Sequence, residues 1–282
     1  MKNILIPTDF SNNAYNALLY ATQLFGKEPC KFYLLHSFES EVSRLTSRVD
    51  IGKSEEVIDE LFASAETKLT ELKHSITMDA EGKGHEFETI ASSKRLPKEV
   101  NYLIKGMDID FVIMGTKGQT GAKEVLLGSN TVRIIKKIKG APLMVIPEHM
   151  DYRPLKHIAF ATGFKFPYTE KELAPLLQLV ALDEGALQIL HVMMEDKLEL
   201  DQKEHLSKLR HQLDSVTHDV YWLRRGFSKT EVITDHVYDN NIDVLVMIYY
   251  KHGFLKSLFR ESIVKKVGLH PSIPFFMIPA SK

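Results

Sequence analysis

Short apolar runs separated by stretches of helical period organise the first 147 residues of this chain. Ile4-Leu5-Ile6, residues 32–36, residues 85–90, Phe111-Val112-Ile113-Met114 and residues 143–146 have the length and boundaries of strands. The run before Gly115 is apolar throughout, as a strand buried on both faces would be. Between the runs, residues 14–25, 54–75, 98–105 (with a start near Ser93) and 131–139 read as helices, and Ser11 or Asn12 can cap the first of them. The order β-α-β-α-β-α-β-α-β predicts a parallel sheet covered by helices on both faces. Residues 39–53 are polar without a clear period. A loop of that length after the second strand is expected to act as a lid, mobile without ligand and better ordered with it.

The second half repeats the first. Lys2-Asn3-Ile4-Leu5-Ile6-Pro7-Thr8-Asp9-Phe10 aligns with Lys156-His157-Ile158-Ala159-Phe160-Ala161-Thr162-Gly163-Phe164, and Leu35-His36 recurs as Leu190-His191. Ile109-Asp110-Phe111-Val112-Ile113-Met114 recurs as Ile242-Asp243-Val244-Leu245-Val246-Met247, and residues 142–147 recur as 274–279. The chain is therefore read as a tandem duplication with domains at 1–150 and 151–282 and a joint near residues 149–153.

The stretch 110–147 carries the candidate chemistry. An apolar strand runs into a segment punctuated by Gly115, Gly118, Gly121 and Gly128, and Ser129 or Asn130 stands where an N-cap would open the next helix. Strand, glycines and helix N-terminus together favour an anion, because glycine lets backbone N–H groups approach it and the helix adds unpaired donors and the positive end of its dipole. A Walker A loop needs Lys after its last Gly, whereas Ala122 follows Gly121 and Ser129 follows Gly128. The dinucleotide G-x-G-x-x-G is missing as well. What stands here is Gly115-x-x-Gly118, nine residues, then Gly128-Ser129. The same glycines also suit a loop that only needs tight turns.

That spacing resembles the ATP-binding signature of the universal stress protein family, and Pro7-Thr8-Asp9-Phe10-Ser11 resembles the family's first-strand motif. The resemblance covers nearly the whole chain, by motif in the first half and by architecture in the second. It implies two tandem Rossmann-like domains of the adenine nucleotide alpha hydrolase-like type, each an α/β unit with a five-stranded parallel sheet. It also implies adenine-nucleotide binding in the stress response, with ATP as ligand and Mg²⁺ as its candidate companion. Gly115, Gly118, Gly128 and Ser129 would hold the phosphates, with Asn130 beside them; Asp9 would face the ribose; backbone at Pro7, Thr8 and Met114 would line the pocket. Lys117 adds a charge if it turns inward. Asp9 ends the first strand, on the binding side of an open parallel sheet, and it also suits an Asx-turn or a helix cap. His36, at the end of the second strand, is read as a packed polar residue.

In the second half these positions change. Gly163 replaces Asp9, Ile248 replaces Gly115, and the Gly-Ser pair corresponds to the neighbourhood of Glu261-Ser262. Bulk and negative charge both oppose a phosphate, so a single site per chain, in the first half, is expected. Tyr249, Tyr250, Lys251, His252, Phe254 and their neighbours are aromatic and basic. They suit base stacking on single-stranded nucleic acid, or filling of the vacated pocket or an interface, and the second reading is taken. His205, His211 and His218 do not have the spacing of helical metal ligands, and Trp222 and the pair Met193-Met194 are read as core.

Composition narrows the function classes. A hydrophobic content of 44% with 26% charged residues is that of a globular chain, and a net charge of −1 gives no nucleic-acid footprint. No apolar run reaches the roughly 20 residues of a membrane helix, nor does the N-terminus read as a signal peptide. With the single Cys30 this gives the expectation of a cytoplasmic protein without membrane or nucleic-acid partners. No general base or pair of metal-binding carboxylates stands beside the glycines, Glu124 being the one acid among them, so a binding protein is expected rather than an enzyme. A slow ATPase and a nucleotide-free interaction module are the alternatives. The last strands of the two halves are expected to pair as an intramolecular pseudo-dimer, with a homodimer and an unidentified protein partner also open to the chain.

Overall fold

The computed structural model describes residues 1–46, 54–116, 127–148, 150–193, 197–224, 228–250 and 273–281. The chain divides into two compact units, Met1–Tyr152 and Arg153–Lys282.

The first unit runs β1 (Lys2–Pro7), α1 (Asn12–Leu24), β2 (Cys30–Ser37), α2 (Glu39–Thr46), α3 (Ser54–Asp79), β3 (Glu86–Ser92), α4 (Leu96–Gly106), β4 (Phe111–Gly115), α5 (Ser129–Lys137), β5 (Leu143–Ile146). Its strands are parallel and ordered β3-β2-β1-β4-β5. The chain steps outward from β1 to β3, then crosses back past β1 to β4 and β5. With right-handed crossovers, this reversal puts α1 and α3 on one face and α4 and α5 on the other. The packing agrees, since α1 touches α3 and α4 touches α5. The central strands are buried from both sides: Ile4, Leu5, Ile6, Val112 and Ile113 are inaccessible to solvent. Each such side chain contributes roughly 1.5–3 kcal/mol by leaving water.

The second unit repeats this with β6 (His157–Ala161), α6 (Glu170–Asp183), β7 (Ala186–Val192), α7 (Leu200–Gln212), β8 (His218–Leu223), α8 (Lys229–Asp239), β9 (Val244–Tyr249) and β10 (Phe275–Pro279). Its parallel order is β10-β9-β6-β7-β8. The repeated sequence pairs have repeated roles. Asp110 accepts the Asn3 N–H at 2.8 Å and donates its own N–H to the Asn3 carbonyl; Asp243 accepts from the N–H groups of Lys156 and His157 at 2.9 and 2.7 Å. His36 donates Nδ1–H to the Thr8 carbonyl at 2.9 Å, as His191 does to Thr162 at 3.0 Å. Phe10 and Phe164 cover these imidazoles at centroid distances of 4.4 and 4.6 Å. Both phenylalanines take a left-handed backbone, φ 64° and 55°, a strained choice that the Thr8 and Thr162 hydroxyls support by accepting their N–H groups. His36 is thus a packed polar residue that fastens β2 to the end of β1.

Two expectations are corrected. Glu39–Thr46 is a helix rather than part of a loop. Glu39 and Glu41 suit its first turn, its backbone starts from the Phe38 carbonyl, and it packs on α3; Arg95 meets Glu39 at 3.3 Å. The remainder of the expected lid, 47–53, lies outside the described residues. Trp222 is not core but 44% exposed. It stands on the edge strand β8, where the 13-residue α7 gives no packing comparable with that of the 26-residue α3 on β3. Met193 donates its N–H to Leu223, while Met194 lies outside the described residues.

Burial holds His191 and His236 of the second unit and His85 of the first below the usual imidazole range. A histidine whose native pKa is depressed favours the folded state while it stays neutral. The unfolded chain gains the proton first as pH falls below about 6.5. The melting temperature should therefore drop between pH 7.5 and 5.5, and His191→Gln should reduce that slope when melting is followed across the range.

Candidate functional site

The reversal of strand order in the first unit falls between β1 and β4, and open α/β sheets bind ligands outside the carboxyl ends of the strands at such a point. β1 delivers Pro7 and Thr8, both buried, then Asp9, half-exposed. The Asp9 carboxylate accepts the Ser11 N–H at 3.1 Å and the Ser11 hydroxyl accepts the Ala14 N–H at 3.2 Å. Asp9 is thus held in an Asx-turn that opens α1, at the edge where a ligand would meet it. β4 delivers Met114 and Gly115, also buried.

Gly115 has a reason that does not involve a ligand. A Cβ there would lie 2.4 Å from Asn13 Oδ1, 2.8 Å from its Cγ and 2.9 Å from its carbonyl oxygen. The missing side chain makes room for the first turn of α1. Asn13 is only 6% exposed, and its Oδ1 accepts a long bond from the Thr116 hydroxyl at 3.4 Å. Across the same spot, the Thr131 hydroxyl of α5 donates to the Gly115 carbonyl at 3.0 Å and lies 3.4 Å from that of Thr116. The Gly128 N–H donates to the Thr116 carbonyl at 2.6 Å. Sequence reasoning missed Asn13, Thr116 and Thr131. The signal for two of them was a polar residue in an apolar stripe: Asn13 lines up with Ala17 and Ala21, and Thr131 with Ile134, Ile135 and Ile138, all buried.

The start of α5 differs from expectation. Gly128 is its N-cap, with extended backbone at φ −61° and ψ 154°, and neither Ser129 nor Asn130 caps it. Both belong to the first turn and are exposed. Thr131, also in the first turn, turns its hydroxyl to β4. Among the described helices, α5 alone has neither a side-chain cap nor an acidic residue in its first turn. Among the described residues its first turn holds no acidic side chain and no side-chain cap to meet these N–H groups, which suits an external anion. Gly118, Gly121, Lys117 and Glu124 lie outside the described residues.

In the second unit the matching edge is built differently. Gly163 stands in the place of Asp9, and its carbonyl accepts from Gln202 of α7 at 2.8 Å. Four more residues separate Phe164 from α6 than separate Phe10 from α1, by 170 − 164 against 12 − 10. This insert carries Phe166 and Tyr168. Phe166 stacks on Tyr250 with centroids 4.4 Å apart, and the Tyr168 hydroxyl meets that of Thr162 at 2.5 Å. Burial pushes the Tyr168 phenol up to about 12, and it raises Tyr250 as well, with Glu172 adding to the effect. Ile248, buried, occupies the register of Gly115. The N-terminus of α6 is closed by a reciprocal capping box between Thr169 and Glu172. Aromatic rings therefore gather beside the residues that follow β6 and β9. Glu261 and the rest of 251–272 lie outside the described residues. His205 bonds the Phe164 carbonyl at 2.8 Å, and no group of three or more possible metal ligands occurs among the described residues. No described helix is long and apolar enough to cross a membrane.

The Universal stress protein family profile matches residues 1–147. The chain belongs to the universal stress protein family. A universal stress protein of Methanocaldococcus jannaschii is 31% identical over 156 residues, spanning 51% of this chain and 94% of that protein. A universal stress protein of Synechocystis is 25% identical over 292 residues, 97% of this chain and 98% of its own. The crystal structure of a universal stress protein from Archaeoglobus fulgidus shares the fold, with a TM-score of 0.69 at 18% identity over 98% of this chain and 96% of that one. The family profile thus falls on the half of this universal stress protein that keeps Asp9, Gly115 and an uncapped α5.

Proposed function

We propose that the first unit binds one adenine nucleotide, ATP, and that the chain works as a nucleotide-binding protein of the stress response, with no second site in the other unit. The observation that carries this reading is the uncapped, acid-free N-terminus of α5, set beside the strand ends at which the sheet reverses its order. Ser129 and Asn130 expose their first-turn backbone to the triphosphate. Asp9 offers its carboxylate to a ribose hydroxyl, and the ends of β1 and β4 at Pro7, Thr8 and Met114 form the wall. Gly115 keeps that wall low by admitting Asn13 behind it. Gly118 belongs to the same family signature.

Nucleotide released from freshly purified protein and identified by mass spectrometry tests the ligand. Calorimetric titration with ATP, with and without Mg²⁺, tests the stoichiometry, expected near one. A value near two would overturn the single-site reading. Protein that neither carries nor takes up adenine nucleotide would refute the reading.

A further inference from the structure

We infer that Asn13 and Thr131 are positioning residues for phosphate binding: they fix where the first turn of α5 stands relative to the end of β4. The inference rests on the proposed nucleotide site and deepens it. Three elements meet at this point, the first turn of α1, the carboxyl end of β4 and the first turn of α5. They are joined by polar side chains that solvent does not reach, Asn13, Thr116 at 3% exposure and Thr131 at 2%.

The geometry gives each a distinct part. Asn13 fills the space that a Cβ on residue 115 would take and accepts from the Thr116 hydroxyl, which pins the strand end to α1. Thr131 bonds the Gly115 carbonyl, so it draws the first turn of α5 against the same strand end. The Gly128 N–H, bonded to the Thr116 carbonyl, sets the backbone just before the helix. A buried polar group kept in an apolar stripe has a desolvation cost that a Val or Ala would not carry. Here it yields direction, since a methyl group packs against many surfaces but a hydroxyl must meet a carbonyl. In the second unit Ile248 takes the register of Gly115, and the counterpart of α5 falls within 251–272, outside the described residues.

The Asn13 side-chain oxygen and the Thr131 hydroxyl are turned to Thr116 and the Gly115 carbonyl inside the buried junction, and in the proposed site the helix they hold faces the phosphates rather than the nucleoside. Their loss should therefore separate ATP from adenosine. In the full chain, Thr131→Val keeps the shape and removes the hydroxyl. Calorimetry should show ATP affinity falling about tenfold, the scale of one misdirected hydrogen-bonded group, with adenosine affinity within about twofold of wild type. Thr131→Ser should return ATP affinity to near the wild-type value. Asn13→Ala should show the same selective loss and supplies the test if Thr131→Val does not fold, as judged by its melting curve. Wild-type affinity for ATP in both folded variants, or equal losses for ATP and adenosine, would overturn the inference alone. A wild-type chain that binds neither ligand would remove the nucleotide reading and the inference together.

Discussion

Ser129→Glu is expected to abolish ATP binding while leaving the protein folded and its melting temperature equal or slightly higher. Ser129 is exposed and opens the first turn of α5, a turn with no acidic residue and no side-chain cap. A carboxylate there meets the positive end of the helix dipole, which is worth about 0.3–1 kcal/mol in favour of the helix. The same carboxylate occupies the position proposed for phosphate. Two unit charges about 4 Å apart at a protein surface repel by roughly 4 kcal/mol before salt screening. Even half of that, against a ligand with several charges, lowers affinity by more than about thirtyfold. Stability and binding thus move in opposite directions, an outcome that general damage to the fold cannot produce. Titration calorimetry paired with a melting curve measures both. Ser129→Gln, similar in size and neutral, should keep most of the affinity. If Ser129→Glu bound ATP as wild type does, the phosphates would lie elsewhere.

Gly115→Ala should destabilise the first unit by about 1–3 kcal/mol, the usual range for forcing a methyl group into a packed interior. The new Cβ would stand 2.4 Å from the Asn13 side-chain oxygen and 2.9 Å from the Asn13 backbone oxygen, so both a side chain and the first turn of α1 must shift. For a unit of this size the melting temperature should fall by several degrees. The double variant Gly115→Ala with Asn13→Ala should recover part of the loss, because it removes the side-chain clash and leaves the backbone one. A single variant that melts like wild type would show that α1 can move without penalty. In a destabilised Gly115→Ala, loss of ATP binding would follow from the disturbed junction of β4 and α1, in contrast with Ser129→Glu, where the fold is intact.

The strand positions were legible because runs such as Ile4-Leu5-Ile6 and Phe111-Val112-Ile113-Met114 are apolar from end to end, which few arrangements other than a doubly covered parallel sheet can bury. The duplication was legible for the same reason, since Ile109-Asp110 and Ile242-Asp243 repeat both the core and the strand-starting carboxylate. The boundaries of α2 and α5 were harder. Glu39–Thr46 is polar, and its packing on α3 and its ion pair with Arg95 are contacts that the segment's own pattern does not display. Ser129 resembles a cap, yet Gly128 takes that place because its N–H is held by Thr116 across the crevice.

The sequence alone determined that the chain is a duplicated α/β protein of the universal stress type and that Asp9 and the Gly115 neighbourhood differ between the copies, because repeats, periods and spacings are local or pairwise properties of the string. Only the tertiary structure decided why Gly115 must be glycine, where Trp222 stands, and which rings meet beside the second copy's strand ends. Those answers depend on distances between residues far apart in sequence, such as Asn13 with Gly115 and Phe166 with Tyr250. A glycine that a ligand requires and a glycine that packing requires look the same in a sequence; at residue 115 an added Cβ would lie 2.4 Å from Asn13 Oδ1, so packing alone requires glycine there.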